Sequence, residues 1–151
     1  VPTCVDGYHA DQSRTYAAAR ASERALDLFR RLRDVADHLI ENMQPGMSAG
    51  EAFALAQERA VDQGIADGFM VFDSGARAHF VGHGLGLELN EPPVLAKSSD
   101  IALQSAMVLA VEMHVMEPRG LTVKLEDTVH LTPSGAQVLT LSPRELTVVR
   151  R

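Results

Sequence analysis

Residues 79–93 read His-Phe-Val-Gly-His-Gly-Leu-Gly-Leu-Glu-Leu-Asn-Glu-Pro-Pro, and the rest of the chain is organised around them. His79 and His83 lie four residues apart among three glycines, and two prolines end the stretch. Glycine lets the backbone adopt conformations that other residues avoid, and it lets a ligand or a second strand come close. Neutral imidazole is the commonest metal ligand among side chains. His83 is therefore a candidate metal ligand on a strand edge, although such a stretch can also be an ordinary packed turn.

The composition predicts one globular domain over residues 1–151, since a chain of this length buries about two-thirds of its unfolded surface. The net charge of −6 and the lack of a basic patch argue against a nucleic-acid partner. No apolar run reaches the ~20 residues of a membrane span, so we expect no membrane partner. The single cysteine, Cys4, excludes an intrachain disulfide and fits a reducing, cytoplasmic location.

The first half of the chain predicts two helices. Apolar residues recur at alternating steps of three and four from about Ser13 to Asn42, as in a helix with one buried stripe. The members of that stripe are Ala18, Ala21, Ala25, Leu28, Leu32, Val35 and Leu39. Gln44-Pro45-Gly46 ends this helix, and Ser48 with Glu51 forms the capping box of a second helix that stops near Gly64. The second buried stripe is Ala52, Leu55, Ala56, Ala60 and Val61.

The second half predicts strands. Residues 107–115 are apolar except for one carboxylate and one histidine, and residues 121–131 alternate as a partner strand after a reversal at 117–120. A last strand is expected around residues 136–141. Helices followed by mostly antiparallel strands make an α+β fold with the helices on one face of a sheet.

Three carboxylates could join His83 in a metal site. Glu112 lies in an apolar run, where an unpaired carboxylate would cost several kcal/mol. Glu126 lies in the partner strand, and Asp11 at a strand-to-helix junction. Each also has a structural explanation: Asp11 as a helix cap, Glu112 as the partner of a basic residue, and Glu126 as a surface charge. Together the four suit Mn, Fe, Co or Zn in a hydrolytic site better than a thiolate-bound structural zinc.

Seven segments follow one another in an order that is typical of one enzyme family. They are residues 7–15, 44–46, 79–93, 107–112, 124–127, 132–139 and 143–146. They resemble the C-terminal catalytic half of the pita-bread metallopeptidases, which include aminopeptidase P, prolidase (Xaa-Pro dipeptidase), methionine aminopeptidase and the creatinases. Within that family, these segments most resemble those of the Xaa-Pro peptidases. The resemblance implies the C-terminal portion of a pita-bread (creatinase/aminopeptidase) fold, with two helices packed on a mostly antiparallel sheet.

The resemblance also implies a catalytic site. The metal ligands carried over by position are Asp11, His83, Glu112 and Glu126. They would hold two divalent metal ions, Mn, Co, Zn or Fe, and Glu112 would accept a proton from a bridging water. His79 would lie behind the ligands or on the substrate side. Asn90 stands where the family usually places a histidine that contacts substrate.

The chain departs from the family at four points. The dinuclear site needs one more Asp upstream of Asp11, and its position falls just before Val1, so we expect an incomplete fragment with weak activity or none. Asn90 can donate a hydrogen bond but cannot transfer a proton at neutral pH. The expected Glu-Pro-Gly reads Glu112-Met113-His114. The usual Arg is Lys124, which keeps the charge but loses the bidentate geometry.

We therefore expect the parent protein to be a metal-dependent hydrolase that resembles an Xaa-Pro aminopeptidase or dipeptidase. Its substrate would be a peptide with proline at the second position, and it would work as a homodimer. Two alternatives stay open: a creatinase-like non-peptidase hydrolase, and a non-catalytic binding module on the same fold. Asn90 and the altered residues 112–114 favour the alternatives, and the four retained ligands favour the peptidase.

Overall fold

The computed structural model describes residues 2–118 and 120–149; the predicted chain start at Val1 and Arg119 of the predicted reversal lie outside the described residues. Within these ranges the elements are β1 (Thr3–Val5), β2 (Tyr8–Ala10), β3 (Tyr16–Ala18), α1 (Glu23–Asn42), α2 (Ala49–Asp62), β4 (Phe80–Gly84), β5 (Glu91–Ala96), β6 (Val108–Met116), β7 (Thr122–Thr132), β8 (Gly135–Val138) and β9 (Thr147–Val149). In these ranges no helix is long and apolar enough to cross a membrane.

The main sheet has five strands in the order β5-β4-β6-β7-β8, and every neighbouring pair is antiparallel. Two small pairs lie outside it: β1 with β2, antiparallel, and β3 with β9, parallel. The order of two helices followed by mostly antiparallel strands confirms the predicted α+β class.

The two helices cover one face of this sheet. Leu28, Leu32 and Leu39 of α1 are fully buried and belong to one core with apolar residues of β6 and β7. The strand members of that core are Leu109, Val111, Met113, Val115, Val123, Leu125, Val129 and Leu131. Because successive side chains of a strand point to opposite faces, the residues between them, including Glu112 and Glu126, lie on the face away from the helices.

The prediction that the first helix begins at Ser13 is wrong. Helix α1 begins ten residues later at Glu23, where the Ser22 side chain accepts a hydrogen bond from the Ala25 amide. The preceding residues pair with distant strands instead, and Ala19 has a positive φ of 67°, which no helix allows. Ala18 and Ala21 are therefore not part of the buried stripe, whereas its members from Ala25 onward are buried.

The second helix agrees with the prediction in its capping box, because the Ser48 and Glu51 side chains bond to each other's backbone amides. Val61, however, is exposed rather than part of the stripe. The last strand of the sheet is also shorter than predicted. It ends at Val138, and Leu141 is almost fully exposed, because the chain leaves the sheet there and turns towards residues 14–18.

Candidate metal centre

Three neighbouring strands bring together three of the predicted ligands. Glu112 of β6 lies directly opposite Glu126 of β7, and β4 places His83 beside β6 on its other side. One ligand atom from each of these residues lies within 4.8 Å of the other two. In the part of the chain that the structure describes, this is the one such group of three or more His, Cys, Asp or Glu side chains.

The glycines beside His83 explain how β4 fits between its neighbours. A Cβ on Gly82 would lie 2.3 Å from the carbonyl oxygen of Ala110, and one on Gly84 would lie 2.6 Å from that of Pro92. Real Cβ atoms do not come so close, so only glycine lets β5 and β6 approach β4 from both sides. The predicted role of these glycines in close strand approach is confirmed, and it fixes the backbone that carries His83.

A hydrogen bond orients the His83 ring. Nδ1 lies 3.0 Å from the carbonyl oxygen of Gly84, which can only accept, so Nδ1 carries the proton. In the neutral ring Nε2 then has a free lone pair, and it lies 3.6 Å from Oε1 of Glu112. Metal-binding histidines are typically held in this way by a backbone carbonyl on the other nitrogen. His83 is therefore buried in the tautomer that binds a metal through Nε2.

Ser13 holds the carboxylate of Glu126. Its Oγ donates to Oε2 over 2.6 Å, and the two residues also exchange two backbone hydrogen bonds, of 3.1 and 3.2 Å. Glu126 is almost fully buried, so its carboxylate has little freedom to turn. No local pattern predicts this contact, because Ser13 and Glu126 are 113 residues apart.

Lys124 lies between the two glutamates. Its Nζ is 2.9 Å from Oε2 of Glu112 and 3.2 Å from Oε2 of Glu126. Burial alone would lower the pKa of Lys124, but its hydrogen bond to Glu112 and the charges of both glutamates raise it. The lysine is therefore a cation that partly neutralises the two carboxylates.

His114 shares the face of Glu112 but is turned away from the group of three. Its Nε2 lies 2.9 Å from the carbonyl oxygen of Val71, and its ring packs against Phe72 at 5.1 Å between centroids. Burial lowers the pKa of His114, against the raising effect of the bond to Val71. This residue stands where the resembled family has glycine. Here it lines the same surface cavity as Glu112.

The other predicted site residues lie outside the group of three. The backbone of Asp11 is tied to Thr128 of β7, whose Oγ1 donates to the Asp11 carbonyl over 2.7 Å and accepts from its amide over 3.2 Å. His79 is exposed just before β4 and lines a cavity of about 530 Å³ together with residues of α2. Asn90 is exposed in the loop between β4 and β5.

The donor set fits a hard divalent cation. One imidazole with a free lone pair and two carboxylates converge at a partly buried place, and the second carboxylate is held by a hydroxyl. Such nitrogen and oxygen ligands bind Mn, Fe, Co and Zn, and they make a poor structural zinc site, which typically uses thiolates.

Comparisons with known proteins give a consistent result. The sequence profile of metallopeptidase family M24 matches residues 1–133. The chain is 32% identical over 143 residues to the uncharacterized peptidase YqhT of Bacillus subtilis, covering 95% of this chain and 38% of the relative. It is 31% identical over 139 residues to the Xaa-Pro dipeptidase of Pyrococcus furiosus, covering 92% of this chain and 38% of the relative.

A solved structure shows the same fold. The X-Pro aminopeptidase of Thermotoga maritima superimposes with a TM-score of 0.88 over 98% of this chain and 40% of that one, at 23% identity. At 23% identity this similarity shows that the fold is shared, and no more. The chain thus spans about 38% of the length of the two relatives above.

Proposed function

The chain belongs to metallopeptidase family M24 and has the pita-bread fold of its peptidases, and on that premise we propose that it provides metal ligands of an Xaa-Pro peptidase. The substrate would be a peptide with proline at the second position, cleaved before that proline. We further propose that residues 1–151 are the C-terminal part of a longer catalytic domain. The Xaa-Pro dipeptidase of Pyrococcus furiosus supports the substrate class.

The observation that carries this proposal is the convergence of His83, Glu112 and Glu126 within 4.8 Å, with His83 Nε2 free to bind. A purely structural role, without a metal, explains the convergence of these three side chains less well. Two glutamates opposite each other on adjacent strands repel, and one lysine compensates only part of that charge.

Each residue has a defined task in the proposed reaction. Bound divalent ions would polarise the scissile carbonyl and lower the pKa of a water. His83 and Glu126 would serve as fixed ligands, and Asp11 would serve as a further ligand. Glu112 would both bind a metal ion and accept a proton from the attacking water, because its carboxylate is the more accessible of the two glutamates. His79 and Asn90, which are both exposed, would contact the substrate.

We also propose two metal ions per site, with manganese as the metal among Mn, Co, Zn and Fe, a homodimer as the assembly, and the cytoplasm as the location. The oxygen-rich ligand set supports manganese.

A second candidate is a non-peptidase hydrolase of the creatinase type, or a binding module that keeps the fold without the chemistry. Asn90 favours it, because an amide cannot act as the acid that a histidine could be. The altered sequence Glu112-Met113-His114 favours it as well, because the resembled family has Glu-Pro-Gly there.

The test is Mn(II) and Zn(II) binding by the full-length protein, measured by isothermal titration after dialysis, together with hydrolysis of Xaa-Pro dipeptides and longer Xaa-Pro peptides. We expect binding in the wild type and its loss in Glu112→Ala, because that variant removes a ligand. Glu41→Ala, which removes an exposed carboxylate of α1, is the control and should bind like the wild type.

The outcomes separate the candidates. Metal binding without cleavage of any Xaa-Pro peptide would overturn the peptidase in favour of the non-peptidase hydrolase, which turnover of creatine would identify. Absence of metal binding in the full-length protein, together with no turnover of creatine, would favour the binding module.

A further inference from the structure

A buried network of charges joins β7 to the segment that follows β8. Asp127 comes directly after Glu126 in β7, and its side chain is 1% exposed. Because side chains alternate along a strand, Asp127 points to the helix side of the sheet while Glu126 points to the metal-binding side. Arg14, Thr140 and Arg144 surround Asp127, and we call these four residues the Asp127 clamp.

Both oxygens of the Asp127 carboxylate accept hydrogen bonds from arginine. Nη2 of Arg14 lies 2.6 Å from Oδ1, and Nε of Arg144 lies 2.7 Å from Oδ2. Oγ1 of Thr140 donates to Oδ1 over 2.5 Å. Charge-assisted bonds of this length are strong and directional. The clamp therefore fixes where Asp127, the strand and the segment after β8 lie relative to one another.

Arg144 extends the clamp to the first helix. Its Nη1 donates to Asp37 of α1, so that two arginines face two carboxylates and the charges balance. Burial would lower the pKa of Arg144, but the charges of Asp127 and Asp37 raise it. The guanidinium therefore stays charged, and its two bonds hold α1, β7 and the segment at 140–144 together.

Arg14 connects the clamp to the metal ligand. Its Nη1 donates to the carbonyl of Glu126 over 2.6 Å, and its Nε donates to the carbonyl of Pro143 over 2.9 Å. Ser13 is the residue before Arg14. Its amide donates to the Glu126 carbonyl, its carbonyl accepts from the Glu126 amide, and its hydroxyl donates to the Glu126 carboxylate. The side chain that orients Glu126 is thus attached to the arginine that the clamp holds.

Stability alone does not account for this arrangement. The Arg14 and Asp127 side chains are 5% and 1% exposed, and taking such charges out of water is strongly unfavourable. Apolar side chains of similar volume often stabilise a protein as well as a buried ion pair does. They could not, however, direct Arg14 and Ser13 against Glu126 by hydrogen bonds.

We propose that the Asp127 clamp positions the metal ligand Glu126, so that metal affinity depends on the segment at residues 140–144. The inference rests on the proposed function, since it needs a metal centre at Glu126. Asp127, Arg144 and Thr140 are positioning residues, because they act on Glu126 through Arg14 and Ser13. Partners that orient metal ligands typically change affinity by about 10- to 100-fold when they are removed.

The experiment measures the Kd of Mn(II) for the full-length protein by isothermal titration at fixed pH and ionic strength. Arg144→Met should raise the Kd by about 10-fold, and Arg144→Lys should recover part of the loss, because lysine restores one charged donor. Thr140→Val removes only the hydroxyl bond and should raise the Kd less. This milder variant keeps the proposal testable if Arg144→Met does not fold.

The matched control is Arg59→Met. Arg59 binds Asp34 over 2.5 and 3.0 Å between the two helices, so the control loses an arginine–aspartate pair away from the metal centre, although this pair is more exposed than Arg144 with Asp127. It should lower the unfolding temperature while leaving the Kd within about twofold of the wild type.

The possible results are distinct. If folded Arg144→Met and Thr140→Val bind Mn(II) with the wild-type Kd while Glu112→Ala does not bind it, the proposed positioning role of the clamp is wrong. The proposed metal centre would still stand. Equal weakening by Arg59→Met would reduce the effect to general destabilisation and overturn the clamp as well. A wild-type protein that binds no Mn(II) would remove the proposed function and this inference with it.

Discussion

At the scale of single residues, Lys124 determines the charge of the candidate metal centre. Its ammonium group lies within 3.2 Å of a carboxylate oxygen of both Glu112 and Glu126. The same two carboxylates are proposed metal ligands, so we expect the lysine and a divalent cation to compete for them. We therefore expect the lysine to stabilise the protein without metal and to weaken metal binding.

Lys124→Met tests this competition. The variant should lower the free energy of unfolding of the metal-free protein by about 1 kcal/mol, because the facing carboxylates lose their cation while the half-exposed position limits the cost. It should also lower the Kd for Mn(II). Urea unfolding and isothermal titration measure the two effects.

Lys97→Met is the matched control, because Lys97 is the only other lysine of the chain and is exposed. It should change neither quantity. Weaker metal binding in Lys124→Met would contradict the competition and would make the lysine a supporting partner of the ligands.

At the scale of elements, strand β4 depends on glycine for its place in the sheet. It lies between β5 and β6, and the carbonyls of Ala110 and Pro92 approach Gly82 and Gly84 where any side chain would begin. The hairpin of β6 and β7 supplies the two glutamates, and β4 supplies the histidine. The candidate metal centre thus requires all three strands at their present spacing.

Gly82→Ala should lower the free energy of unfolding by about 1–3 kcal/mol, because a Cβ would meet backbone and force β4 away from β6. It should weaken Mn(II) binding as well, since His83 is the next residue. Denaturant unfolding and titration measure the two effects.

Gly86→Ala is the comparison, because the nearest atom there belongs to the flexible side chain of Glu91, at 2.9 Å. It should cost well under 1 kcal/mol. An equal cost at both glycines would show that close strand approach is not what Gly82 provides.

At the scale of the whole molecule, stability is concentrated in the sheet and the helix packed on it. Met113 and Leu125 are fully buried between the sheet and the helices, whereas β1 is exposed throughout. The pairs β1–β2 and β3–β9 are short and stand apart from the main sheet. Regions with few buried contacts open more readily than the core.

Hydrogen exchange followed by mass spectrometry should therefore show the slowest amide exchange in β6 and β7 and the fastest in β1 and β2. Strand β9 should exchange more slowly than β1, because the Asp127 clamp holds the preceding segment. Exchange in β9 as fast as in β1 would indicate that the clamp is weak. In that case Arg144→Met should leave β9 exchange unchanged.

The sequence by itself determined the elements whose signals are local. The capping box at Ser48, the end of the first helix before residues 44–46 and the strand at β7 each depend on residues within a few positions, and all three are present. The same holds for Glu112 as a polar residue inside an apolar strand. Local patterns also mispredicted the start of α1, because Ser13 to Ala18 have helix-forming composition but bond to strands more than 100 residues away.

Only the tertiary structure decided which side chains meet. It brought His83, Glu112 and Glu126 together, placed Lys124 between the glutamates and attached Ser13 to Glu126. It also left His79 and Asn90 exposed, outside that group. The physical reason is that strand register and the approach of distant segments set these distances, and hydrogen bonds between residues far apart in the chain leave no periodic or local trace in the sequence.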